Sequence, residues 1–244
     1  MMRFLFVVAL LAVLPEAAHA QSATDLLNLP VNGSVSAWII RTFGLLTVLS
    51  VAPGILIMVT SFPRFIIAFS ILRSGMGLST TPSNMILTSM ALFMTFYVMA
   101  PTMDRAWQQG AQPLLQNQID EAEAVQRIAQ PFREFMIANV RDKDVALFVD
   151  IARERGQTVT LGAQTDYRIL VPAFMLSEIR RGFEIGFLIV LPFLVIDMIV
   201  ASITMSMGMM MLPPTSISLP FKILFFVLID GWNLLVGSLV RSFV

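Results

Sequence analysis

Two aspartates, Asp197 in FLVIDM and Asp230 in LIDGW, lie on consecutive apolar segments of this chain. Paired carboxylates in such a setting can share a proton and activate water, as an intramembrane aspartyl protease requires. The flanking residues argue against that chemistry, because neither aspartate carries the Gly-x-Gly-Asp signature of such proteases. Isolated buried carboxylates are also explained by structural ion pairs, and Lys222 interrupts the same apolar segment as Asp230. The other usual chemical groups are scarce. The chain has no cysteine, and its one histidine, His19, sits near the start. Disulfides, cysteine nucleophiles, histidine bases and zinc sites of the usual ligand types are thereby excluded from the remainder. No metal, no cofactor and no enzyme activity is expected.

A different signal is SMGMMMLPP at residues 206 to 214, which concentrates Met207, Met209, Met210 and Met211 before Pro213 and Pro214. Methionine specifies packing poorly, so as core filler it is ordinarily scattered. Gly208 and the two prolines oppose a regular helix, so the run is expected to form an irregular loop. Thioethers are adaptable and uncharged, whereas ion pathways generally need rings of carbonyls or charges at their constriction.

The elements that position these residues follow from hydropathy. The chain is 57% hydrophobic and 13% charged, with a mean hydropathy of +0.79. This is the composition of a membrane protein. Its 16 basic and 16 acidic residues cancel, which gives no reason to expect a nucleic-acid partner. Arg3, the apolar run Phe4 to Leu14 and Ala18-His19-Ala20 read as a signal peptide over residues 1–20, cleaved after Ala20. Residues 21–43 form the mature N-terminal segment. An apolar helical hairpin is expected over 44–103, kinked at Pro53-Gly54 and turning near residues 73 to 84.

Most of the charge lies in 104–181, which reads as a small, soluble, mostly helical insert. Pro131 and Pro172 suit first-turn positions of helices there, and Gln157 to Leu161 suits a short strand or an extended loop. A second apolar hairpin carrying the methionine-rich loop spans 182–244. Asp197, Lys222 and Asp230 are too costly to face lipid, and should face protein or a water-filled path. Gly75 and Gly77 suit a close backbone approach or a positive φ near the turn. The signal peptide places the insert outside the cytoplasm. Its arginines favour the inside, but loops longer than about 60 residues are largely exempt from that rule.

Several stretches are specific enough to carry a resemblance. They are TSFPRFIIAFSILRSGMGLSTTP at 60 to 82, NMILTSMALFMTFYVMAP at 84 to 101, PFREFM at 131 to 136 and DVALF at 144 to 148. The longest runs from LVPAFMLSEIRRGFEIGFLIVLPFLVIDMIVAS through MGMMMLPP to LPFKILFFVLIDGWNLLVGSLVRSF. From about residue 44 onward the chain resembles the FliP family of flagellar type III export-gate proteins, whose counterparts serve in injectisomes.

The resemblance implies an all-α membrane protein of bent helical hairpins with a small extracytoplasmic insert. About five copies would wind into a closed helical ring with FliQ-like and FliR-like membrane subunits. FlhB-like and FlhA-like export components are further expected partners. Unfolded flagellar subunits would pass through the centre, at the basal body in the bacterial inner membrane. Under this reading Glu178 of one copy is expected to pair with Lys222 of the next, with Asp197 and Asp230 as fallback partners. The methionines would form the gate. A small-solute or ion channel subunit remains the alternative, with the aspartyl protease behind it.

Overall fold

The computed structural model describes residues 35–157, 162, 165–208 and 213–243, and these are helical with no strand among them. The signal-peptide reading, most of Gln157 to Leu161, and Met209, Met210 and Met211 lie outside the described residues. The chain divides into two units, 1–52 and 53–244. Helix α1 (Val35–Met58) carries the described part of the first unit and ends within the second. In it, Thr47 and Ser50 donate their hydroxyls to the carbonyls of Phe43 and Leu46, one turn back, which hides their polarity on an apolar helix.

The second unit contains the other elements. These are α2 (Phe62–Gly75), α3 (Asn84–Ala106), a π-helical turn (Trp107–Ala111), α4 (Gln112–Leu115), α5 (Glu121–Asn139), α6 (Asp142–Glu154), α7 (Tyr167–Ser206), α8 (Pro214–Leu228) and α9 (Gly231–Arg241). Two apolar segments carry breaks beyond the expected ones. The first stays helical through Pro53-Gly54, and α1 continues to Met58. The break falls at buried Val59, Thr60 and Ser61, and α2 restarts with Pro63 in its first turn, where a missing N–H costs nothing. The last apolar segment is split instead of continuous, with α8 and α9 meeting at a 63° bend. Asp230 forms the elbow in a left-handed conformation, φ 52°.

Pro131 and Pro172 do not start helices. Each lies inside one, because an aspartate cap further upstream sets the start. The Asp120 side chain accepts from the Glu123 N–H at 2.7 Å, and Asp166 accepts from the Arg168 N–H at 2.9 Å. Capping satisfies donors that a helix start otherwise leaves orphaned. Tyr167 therefore opens α7, with the Arg133 guanidinium 4.0 Å from the centre of its ring.

Helix α7 has 40 residues, about 60 Å at 1.5 Å per residue, twice the roughly 30 Å of bilayer hydrocarbon. Its first half is clothed by protein. Met136 of α5 meets Leu170 and Phe174 in one buried cluster, and Val149 and Ala152 of α6 meet Ile169 in another. Its second half packs with α2, α3, α8 and α9 around Phe65, Phe69, Leu87, Phe193, Phe226 and Leu235. Trp232 packs edge-on to Phe226 at 5.3 Å. Elsewhere on that half Leu188, Met198 and Ile199 are more than half exposed. Among the described residues, Asn84–Leu115 and Tyr167–Ser206 are long and apolar enough to cross a membrane, and the bent α8–α9 pair makes a third if counted as one span.

Candidate functional site

The tightest interface of the second unit is the seam where α2 and α7 run side by side in the same direction. Its small residues make the approach possible. A Cβ on Gly182 would lie 3.1 Å from the Arg64 carbonyl, and one on Gly186 would lie 3.0 Å from Ile71. One turn further, a Cβ on Gly75 would meet Val190 Cγ2 at 2.4 Å, so the small residue switches from α7 to α2. Glycines spaced four apart let two backbones approach closely enough for van der Waals packing to hold them.

A buried ion pair closes each end of this seam. At the start of α2, Arg64 and Glu178 are both fully buried. The Arg64 Nε–H donates to Glu178 Oε2 at 3.0 Å, and Nη2 donates to Oε1, giving a two-pronged contact. Nη1 donates to the Ser242 carbonyl at 3.1 Å and to Ser242 Oγ at 2.7 Å. The Phe243 ring covers the guanidinium at 3.4 Å. Only a planar fork serves a carboxylate, a carbonyl and an aromatic face together, so lysine could not replace this arginine.

At the far end of α2, Lys222 of α8 is buried and donates to Asp197 Oδ2 at 2.5 Å and to the Gly75 carbonyl at 3.2 Å. The Ser218 hydroxyl donates to the other oxygen of Asp197. Three helices are thereby tied at one point. Desolvating such charges is costly, and the hydrogen bonds to Gly75 and Ser218 compensate groups that the ion pair alone would leave unsatisfied.

The expected pairing of Glu178 with Lys222, or with Asp197 or Asp230 in reserve, is a contact between copies, which a single chain does not test. Within one chain Glu178 takes Arg64, and Lys222 takes Asp197. Asp230 is exposed at the helix elbow, where it accepts from Asn233 Nδ2 at 3.1 Å. Asp197 and Asp230 thus have separate partners and do not form a shared-proton pair. Arg64 and Ser218 were not expected from sequence. A charge at position 64 inside the apolar stretch that follows Pro53 was the available signal for the first, and Ser218 one turn before Lys222 for the second.

Beyond Asp197 the hairpin of α7 and α8 holds a groove of about 490 Å³ with apolar walls, lined by Ile196, Val200, Ile203, Met207, Ile217 and Phe221. Met207, just past the end of α7, is 69% exposed, and Gly208 follows with φ 72°. A positive φ is tolerated best by glycine, and it ends the helix at the first methionine of the run. Among the described residues no group of three or more His, Cys, Asp or Glu side chains could hold a metal ion.

Comparison with known proteins places this sequence in a family. The FliP family pattern matches residues 45–239. A flagellar biosynthetic protein FliP of Agrobacterium fabrum is 79% identical over 244 residues, covering all of both chains. One from Rhizobium meliloti is 74% identical over 245 aligned positions, again covering both fully. One from Bacillus subtilis is 48% identical over 200 residues, 82% of this chain and 89% of the relative. On the extent of the match and these identities, the chain belongs to the FliP family.

Proposed function

We infer that the protein is a core subunit of the flagellar type III protein export gate. Several copies, about five in a closed ring, form the conduit through which unfolded flagellar subunits cross the inner membrane. FliQ-like and FliR-like subunits complete the ring, and FlhB-like and FlhA-like components act with it. Membership of a flagellar biosynthetic family supports the export context. The observation that carries the conduit reading is the hairpin tip: a 40-residue helix ends in an exposed methionine, next to further methionines in the sequence, with no charge from Met198 to Phe221.

In a ring, one such tip per copy would meet its neighbours at the axis. Met207, Met209, Met210 and Met211 would then form a gasket that closes on itself and reshapes around a passing polypeptide, since thioether side chains are unbranched and polarizable. The charges have a different task in this reading. Arg64–Glu178 and Lys222–Asp197 fix the seam that aims the tip, and a Glu178 to Lys222 contact between copies would require both in-chain pairs to open. An ion channel lacks support from a tip without charge or polar rings. An aspartyl protease lacks support because Asp197 is held by Lys222 and Ser218.

The absence of cysteine from the sequence makes a direct test available. In Met207→Cys, mild oxidation of the assembled complex should link neighbouring copies through Cys–Cys bonds. Assembled complexes that yield no linked copies would contradict an axial tip.

A further inference from the structure

Where α7 passes from its protein-clothed half to its apolar half, guanidinium groups from two elements converge. Arg180 Nε donates to Glu184 Oε1 at 2.8 Å, with both side chains more than half exposed. Arg141, at the cap of α6, and Arg181 lie close enough for their charge to act on the same carboxylate. The Arg141 backbone N–H donates to Ser177 Oγ at 3.1 Å, and that hydroxyl donates to Asp144 at 2.6 Å, which pins α6 against α7. Arg141 Nη1 is shielded from solvent and has no hydrogen-bond partner. Arg181 also acts on Glu178, which Arg64 already holds by both oxygens.

The charges of this junction do not cancel. Arg64 and Glu178 cancel within the buried seam, which leaves Arg141, Arg180 and Arg181 against Asp144 and Glu184, while the neighbouring Asp142 and Lys143 are exposed and offset one another. One positive charge is left over. Immediately beyond it the surface of α7 is apolar, with Phe187, Leu191 and Val195 exposed at helical spacing below Arg180 and Glu184. From Glu184 to Val195 that stripe runs about 17 Å, close to half of the roughly 30 Å of bilayer hydrocarbon.

We propose that this junction binds one anionic phospholipid, its phosphodiester held between Arg141, Arg180 and Arg181 and an acyl chain lying along Phe187, Leu191 and Val195. A phosphodiester carries the single negative charge that the junction lacks, and its oxygens accept from the guanidinium forks. Basic clusters at the edge of an apolar helix surface recognise anionic headgroups in this way. The site is independent of the conduit reading.

The test uses the full-length protein in nanodiscs of phosphatidylglycerol mixed with phosphatidylcholine, followed by extraction into mild detergent and native mass spectrometry of retained lipid. The wild type should retain phosphatidylglycerol over phosphatidylcholine, and millimolar inorganic phosphate should not displace it. Each of Arg141→Gln, Arg180→Gln and Arg181→Gln should lower that preference, by about fivefold per charge removed. Equal retention of both lipids by the wild type would overturn the proposal without reliance on any variant. So would displacement by inorganic phosphate, which would mark a site for free anions. If the variants fold, as judged by circular dichroism, and keep the wild-type preference, the assignment to these arginines fails.

Discussion

Arg64→Ala would leave the Glu178 carboxylate buried without the counter-charge that contacts it, at a cost of about 3 to 5 kcal/mol. Lys222→Ala should cost less, about 1 to 3 kcal/mol, because Asp197 keeps the Ser218 hydroxyl and its side chain is 26% exposed. Thermal unfolding of the purified protein in detergent should give that order, with Arg64→Lys also below wild type because an ammonium cannot serve Glu178 and Ser242 together. Adding Asp197→Ala to Lys222→Ala should restore part of the loss, the double-mutant cycle showing a coupling of about 0.5 to 3 kcal/mol. Additive losses would remove Lys222–Asp197 from the account. At this scale the sequence revealed the charges better than their partners. Glu178 and Lys222 stood out within apolar runs, but Arg64 lies 114 positions before Glu178, and no local pattern links residues so far apart.

Two glycines separate what helices can yield from what they cannot. A methyl group on Gly75 would strike the Val190 side chain at 2.4 Å, whereas one on Gly110 would also meet backbone, the Ile128 nitrogen at 2.9 Å and the Ala124 carbonyl at 3.1 Å. Gly75→Ala should therefore cost about 1 to 3 kcal/mol as overpacking, and Val190→Ala should recover part of it. Gly110→Ala should not be rescued by Ile128→Ala, because the obstructing atoms there include main chain. Melting temperatures of the two single and two double variants would check this, and rescue of Gly110→Ala would contradict the packing described. Helix content and apolar segments were legible because their periodicity is local. Boundaries were less so. Prolines at 131 and 172 resembled helix starts, yet Asp120 and Asp166 supply the capping oxygens that decide them. Asp230 resembled a charge within a span, and it is the bend between α8 and α9.

For the whole molecule, family membership was legible from motifs that run through both apolar regions. The seam was not, because it depends on which glycine faces which isoleucine across more than a hundred residues. The signal peptide remains a reading of Arg3, Phe4 to Leu14 and Ala18-His19-Ala20. N-terminal sequencing of the assembled protein should begin at Gln21, and an intact Met1 would refute cleavage and reopen the topology. The central claim is that the hairpin tips seal a protein conduit with thioethers. Its most direct test replaces Met209, Met210 and Met211 together with alanine and measures, in the same cells, ion leak by a membrane-potential dye and export of flagellar subunits into the medium. The account predicts added leak with export at least partly retained. A triple variant that assembles normally and shows no added leak would contradict it.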